Sequence, residues 1–368
     1  MKKPRQQNQD GSVRLATVAT ATPPYTTDQL LAKDFFLRHF SHRLGRRYLE
    51  MLKKFLTHPS IRQRRFAFES PDCLVEEDPD RRIERFTHWA VDLSARASLA
   101  ALARVGLEPQ EVTALIVHTC TGYLCPGLTS YLLERLDLPR DIRTYDLVGI
   151  GCGGAVPTLQ AGAEHLQARG EGVALCVSVE ICSATFQMEE DLGLLMSNAL
   201  FADGAAAALL WTRPQGLELV ASSNRHQPED REAIRYVYKN GKLFNQLSRA
   251  LPQMVNRAVA AAVQKVLEPR GLTAADVAHW ALHGGGDKII TAVARELGLP
   301  PEKLLPTRET LSRYGNMSSP SALFTLRDIL DNGIRPGDWC LLASFGAGLS
   351  AHALLLRNVG GGPADSEQ

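Results

Sequence analysis

Short apolar runs rich in Val, Ile and Leu alternate with longer segments of helical period, the pattern of an α/β fold. Residues 13–22 predict a first strand, stopped by Pro23-Pro24. Residues 28–40 predict a helix, with Thr26 or Thr27 as its cap. Strands are expected at 112–120, 142–150 and 173–181, with helices at about 128–136 and 155–168 between them. After a further apolar strand at 205–211, helices at 253–267, 288–297 and 319–330 alternate with strands at 278–283, 339–344 and 351–356.

The pattern also repeats. Gly106-Leu107-Glu108-Pro109-Gln110-Glu111-Val112 leads to His118, and Gly271-Leu272-Thr273-Ala274-Ala275-Asp276-Val277 leads to His283, 165 residues later. The same offset links Gly172, ahead of Leu175-Cys176-Val177-Ser178, to Gly337, ahead of Cys340-Leu341-Leu342-Ala343. The chain therefore reads as two related α/β halves, 1–222 and 223–358. The tail 359–368 is Gly-, Pro- and acid-rich and is predicted to be disordered.

Composition narrows the function classes. The 368 residues carry 41 Lys and Arg against 40 Asp and Glu, a net charge of +1 that lacks the global footprint of a nucleic-acid binder. Hydrophobic residues at 45% and charged residues at 22% are ordinary globular values. No apolar run follows the basic amino terminus, and none approaches the roughly 20 residues that span a bilayer, so a soluble, cytoplasmic protein is expected. Seven cysteines form no Cys-x-x-Cys pair, which argues against a disulfide framework or a structural zinc site. Most should be buried as small hydrophobes.

Three turns carry candidate chemistry. Gly149-Ile150-Gly151-Cys152-Gly153-Gly154 joins a strand to a helix, with Pro157 in its first turn. Cys152 there is either an inert buried thiol or one activated by the positive end of the helix dipole. His283 ends a strand before Gly284-Gly285-Gly286, as a structural or a catalytic imidazole. Asn316, in Tyr314-Gly315-Asn316-Met317-Ser318-Ser319, is a turn former or a hydrogen-bond donor to a substrate. Cys152 follows His118 by 34 positions and Asn316 follows His283 by 33, so two-fold pseudo-symmetry lets these turns face each other.

Together with Leu200-Phe201-Ala202-Asp203-Gly204-Ala205-Ala206, these motifs resemble the type III polyketide synthases, the chalcone-synthase-like branch of the thiolase superfamily. The resemblance runs from about Arg14 to Leu356. It implies a thiolase-like fold of two pseudo-symmetric α/β halves in a layered αβαβα arrangement. It also implies iterative decarboxylative condensation of malonyl-CoA onto an acyl-CoA starter held on Cys152, then cyclisation to a resorcinol, pyrone or related ring. His283 would help keep Cys152 ionised and, with Asn316, donate hydrogen bonds to the thioester oxygen. No metal or redox cofactor is implied. The nearest alternative is a β-ketoacyl-acyl-carrier-protein synthase III-like condensing enzyme, which the motifs at Phe201 and Asn316 disfavour.

The resemblance further assigns Phe201 as the first of two gatekeeping aromatics between the CoA tunnel and the reaction cavity. The second column holds Asn245, with Phe244 one residue away. Tyr236 falls where the family has glycine, which would narrow the cavity. Thr121 and Thr185 match cavity-lining positions. Cys125 falls where a residue reaches into the partner subunit's site, which implies a homodimer. Gly346 and Gly348 belong to the terminal glycine loop, where Ser344 and Ala347 replace the family's Gly and Pro. For the CoA phosphates, the best local basic cluster is Lys53, Lys54, Arg62, Arg64 and Arg65, with Lys54 at a family CoA-contacting column.

Overall fold

The computed structural model describes residues 11–360, so the amino-terminal reading and all of the expected tail but its first two residues lie outside the described residues. The first half runs β1 (Arg14–Ala21), β2 (Tyr25–Asp28), α1 (Gln29–Phe40), α2 (Arg46–Leu56), β3 (Gln63–Phe66), α3 (Pro79–Arg104) and β4 (Ala114–His118). It continues with α4 (Leu128–Arg135), β5 (Arg143–Leu147), α5 (Ala155–Arg169), β6 (Val173–Ile181), α6 (Leu192–Leu200) and β7 (Asp203–Trp211). The second half comprises β8 (Leu217–His226), β9 (Ile234–Lys239), β10 (Lys242–Leu247), α7 (Leu251–Leu267) and β11 (Val277–Leu282). It closes with α8 (Asp287–Glu296), α9 (Leu305–Tyr314), α10 (Pro320–Asp331), β12 (Trp339–Gly346) and β13 (Ser350–Asn358).

The nine-stranded sheet has the order β11-β12-β13-β8-β1-β7-β6-β4-β5 and makes the duplication visible. Working inward, β4–β6 and β11–β12 are parallel, whereas β6–β7 and β12–β13 are antiparallel. The halves meet at β8–β1, a seam of only two residue pairs, Arg14 with Glu218 and Leu15 with Leu217. The expected division after residue 222 falls inside β8, and a cut before Leu217 keeps every strand whole.

Two helices explain the layering. The α5 helix touches β4, β6 and β7 of the first half and β12 and β13 of the second; α10 touches β1, β6 and β7 and also β11 and β12. Their apolar faces, Leu159, Ala163 and Leu166 on α5 and Leu323, Leu326 and Ile329 on α10, close one core between the half-sheets. Outside, α3 covers the first half through Phe86, Ala90, Leu93 and Ala97, and α7 covers the second through Val255, Val259 and Val263. The result is the layered thiolase-like arrangement, αβαβα, of two pseudo-symmetric halves.

Local chemistry moves some expected boundaries. The α1 cap is Asp28, whose Oδ1 accepts from the Leu31 N–H at 2.7 Å, while Thr26 and Thr27 lie in β2. The longest described helix, α3, escapes the apolar pattern because its inward stripe mixes the polar Arg82, Ser94 and Ser98 with Phe86, Ala90, Leu93 and Ala97. No helix among the described residues is long and apolar enough to cross a membrane.

Candidate active site

Strand β5 ends at Leu147, and the chain crosses Gly149-Ile150-Gly151 into a single tight turn, Gly151–Gly154, that runs on as α5. Cys152 sits in that turn at the start of the helix, buried at 7% exposure. Glycine is required beneath it: a Cβ on Gly154 would lie 2.2 Å from the His118 ring, and one on Gly346 would lie 2.3 Å from the Ile150 carbonyl oxygen. Ala347 N–H bonds that same carbonyl at 3.0 Å, and Ser344 Oγ donates to the Gly153 carbonyl at 2.7 Å. The terminal glycine loop therefore clamps the cysteine turn from the second half.

Burial pushes the Cys152 thiol up to about 12, opposed by a hydrogen bond from Ser318. Ser318 Oγ donates to Sγ at 3.2 Å and also lies 3.5 Å from Glu180 Oε1. Glu180 is a fully buried carboxylate on β6, and its hydrogen bonds offset that cost. Ser319 Oγ donates at 2.7 Å, Thr121 Oγ1 at 2.8 Å, Cys120 N–H at 3.0 Å and Cys120 Sγ at 3.2 Å. Desolvation still raises Glu180 above the ordinary carboxylate value. Behind it, His118 Nδ1 meets Ser319 Oγ at 3.1 Å, and burial lowers that imidazole to about 3, so it is neutral.

From the second half come His283 and Asn316. His283 follows β11, is fully buried, and packs edge-on against Phe345 at 4.8 Å. Burial lowers it to about 3, and neither ring nitrogen has a hydrogen-bond partner among the described residues. Asn316 follows α9 and is pinned by its backbone: its N–H donates to the Leu200 carbonyl and its carbonyl accepts from Ala202 N–H, both at 2.9 Å. Its Oδ1 accepts from Ser318 N–H at 2.8 Å, and its Nδ2 points to the Gly285 carbonyl at 3.4 Å. Contacts therefore run from Cys152 through Ser318 and Asn316 to Gly285, two residues past His283. Cys152 itself accepts a hydrogen bond from Ser318.

Two spaces adjoin this centre. A cavity of about 440 Å³ is lined by Cys120, Thr121, Gly151, Tyr236, Tyr238 and Gly348, among others. A constriction of about 30 Å³ is lined by Phe201, Asn245, Thr185, Cys182 and Tyr236. Side chains alternate along β10: Asn245 lines the same small space as Phe201, while Phe244 is buried with Lys239 over its ring. Tyr236 lines both spaces, its hydroxyl 3.3 Å from Thr185 Oγ1. Cys125 is exposed, joined to Pro126 by a cis peptide.

The expected basic cluster does not form an open mouth. Period-two alternation in β3 turns Arg64 inward with Phe66, where it bonds Gln29 Oε1 and the carbonyls of Asn198 and Phe201. Arg62 pairs with Glu309, and Lys53 with Glu50. Lys54 is exposed on α2. An open groove of about 500 Å³ lies elsewhere on that helix, between α2 and α6, lined by Arg47, Arg249 and Glu50 together with the apolar Met51, Phe55, Leu192 and Met196. The sequence reading missed Glu180, Ser318 and this groove. The one available signal was Glu180 itself, the single charged residue in the mostly apolar run of β6.

Two family models match the chain: chalcone and stilbene synthases, C-terminal domain, over residues 218–360, and FAE1/type III polyketide synthase-like protein over residues 26–283. The 3,5-dihydroxyphenylacetyl-CoA synthase of Streptomyces toyocaensis is 31% identical over 300 residues, 78% of this chain and 77% of that protein. The crystal structure of 1,3,6,8-tetrahydroxynaphthalene synthase from Streptomyces coelicolor A3(2) matches with TM-score 0.87 at 23% identity, over 95% of this chain and 100% of that one. The crystal structure of PKS-I from the brown alga Ectocarpus siliculosus matches with TM-score 0.86 at 25% identity, over 97% and 100%.

Proposed function

We propose a reaction course from one premise: the chain belongs to the type III polyketide synthase family, acyltransferases that act on CoA thioesters. In this reading Cys152 attacks an acyl-CoA, expels CoA and carries the acyl group. Malonyl-CoA then binds with its thioester oxygen against His283 and Asn316 Nδ2. As carbon dioxide leaves, its C–C electrons become an enolate that these two donors stabilise. The enolate carbon attacks the Cys152 thioester, and the chain grows by two carbons. A neutral imidazole suits this duty, since it keeps one N–H to donate. The carrying observation is that one hydrogen-bonded run links Cys152 through Ser318 and Asn316 to Gly285, whose N–H bonds the His283 carbonyl, while both buried His283 ring nitrogens are without a partner among the described residues. No metal or redox cofactor is called for.

The 440 Å³ cavity supports cyclisation of a small polyketide, being within the roughly 300–1,000 Å³ usual for small-molecule pockets. The Arg47–Arg249 groove suits a CoA thioester, with guanidinium groups for phosphate and an apolar floor for the pantetheine arm. Phe201 and Asn245 line a narrow space that shares Tyr236 with the cavity. Purified protein given malonyl-CoA and a panel of acyl-CoA starters should release carbon dioxide and a pyrone or phenolic ring without carrier protein. Turnover only with acyl carrier protein would contradict this reading.

We also propose a homodimer. Strand β5 is a sheet edge paired only with β4, and Tyr123, Tyr145 and Val148 are exposed beside it, Tyr123 at 72%. The exposed Cys125 lies close by in sequence. Sedimentation at micromolar concentration should give twice the chain's 40.3 kDa, and a concentration-independent monomer would refute it.

A further inference from the structure

Arg64, one of the basic cluster expected for the CoA phosphates, lies inside the molecule at 1% exposure. Its Nε donates to Gln29 Oε1 at 2.9 Å, and its Nη1 donates to the carbonyls of Asn198 at 2.7 Å and Phe201 at 2.9 Å. These carbonyls lie at the carboxyl end of α6, where the last turn leaves acceptors without helical partners and the dipole favours a cation. We infer that Arg64 is a positioning residue for the decarboxylative step, bracing the backbone bridge from which both Phe201 and Asn316 project. This rests on the reading of Asn316 as an enolate-stabilising donor and of Phe201 as a gate.

Every orphan carbonyl at that helix end has its own donor. Ser197 accepts from the Phe201 N–H, Asn198 from Arg64, Ala199 from Gln29 Nε2 and Leu200 from the Asn316 N–H. Beyond it the chain is extended, with Phe201 at φ −72 and ψ 149, so neighbouring residues aim their backbone groups to opposite sides. The Leu200 carbonyl and the Ala202 N–H bond Asn316 on one side, each at 2.9 Å, and form the parallel bridge between Phe201 and Asn316. The Phe201 carbonyl points the other way, and Arg64 is its donor. The arginine stem also abuts the second limb. Gly315 sits at φ +76, and a Cβ there would lie 2.8 Å from Arg64 Cγ. One guanidinium thus holds the gate residue's backbone and backs the residue before the oxyanion donor.

The consequence falls on one step. The turn that carries Cys152 is clamped by other contacts, from Ala347 N–H to the Ile150 carbonyl and from Ser344 Oγ to the Gly153 carbonyl, none of which involves Arg64. Loss of the guanidinium should displace Phe201 and Asn316 and leave the nucleophile in place. Burial lowers Arg64 to about 9, opposed by Asp203, so it is a cation at neutral pH and suits the negative end of α6. Arg82 is an internal comparison. It is also buried and donates to main-chain carbonyls, those of Glu76 and Phe186, but it bonds neither Phe201 nor Asn316.

The test compares Arg64→Met, Arg64→Lys and Arg82→Met in two assays, each run well below the variant's melting temperature. One is carbon dioxide release from malonyl-CoA; the other is acylation of Cys152 by an acyl-CoA, read by peptide mass spectrometry. In Arg64→Met, kcat for decarboxylation should fall about a hundredfold, the scale of a misplacement of about 1 Å, while acylation stays within about threefold of wild type. Arg64→Lys keeps a cation and donors near the same carbonyls, so it should recover about tenfold of that loss. Should Arg64→Met fail to fold, Arg64→Lys makes the comparison alone, with decarboxylation down about tenfold and acylation within about threefold. Arg82→Met should keep both rates within about threefold. Decarboxylation at the wild-type rate in the Arg64 variants overturns the proposal. So does an equal loss of both steps in them, or the same selective loss in Arg82→Met. Wild-type protein that releases no carbon dioxide from malonyl-CoA refutes the underlying reading instead.

Discussion

Cys152→Ala should abolish polyketide formation, with turnover reduced at least about a thousandfold and no acyl group retained on the protein. The magnitude follows from the role: without the thiolate the starter has no covalent carrier, and the remaining binding and oxyanion contacts supply only residual catalysis. The fold should survive. The site is buried and snug, but alanine has fewer atoms than cysteine and meets the same neighbours, so loss of Ser318's acceptor is the main change. Thermal unfolding within a few degrees of wild type, alongside lost product, separates chemistry from stability. Condensation at the wild-type rate in Cys152→Ala would remove the cysteine from the mechanism.

Asn316→Ala should reduce malonyl-CoA decarboxylation and condensation about 10²- to 10³-fold, the usual consequence of removing one oxyanion donor. His283→Ala should do at least as much, because it removes the other donor from the same buried site. Neither change removes the nucleophile, so both variants should still accept an acyl group on Cys152 from acyl-CoA. Decarboxylation measured by carbon dioxide release, with acylation measured in parallel, resolves the two steps. Equal loss of both would point to collapse of the shared turn, because Asn316 Oδ1 also fixes Ser318.

Much of this arrangement was legible in the linear pattern. The apolar run 173–181 coincides with β6, and the 165-residue repeat pairs β4 with β11 and β6 with β12, which hold corresponding places in the sheet. It also placed Cys152 and Asn316 in corresponding turns, which the structure joins through Ser318. What escaped was set by packing across the seam. Glu180 lay unremarked in a predicted strand, and only the fold brings Ser318, Ser319, Thr121 and Cys120 onto it. Arg64 read as part of a basic cluster because charge along a sequence does not reveal which way a strand residue faces. In β3 it faces Gln29 and two carbonyls, leaving Arg47 and Arg249, distant in sequence, to flank the open groove.

The central claim is that Cys152 carries the growing chain. Incubation with an acyl-CoA, rapid acid quench and peptide mass spectrometry tests it most directly. The account predicts an acyl mass increment confined to the peptide containing Cys152, discharged when malonyl-CoA is added. Product formation with no acyl adduct at Cys152, or with the adduct on another cysteine, would contradict it.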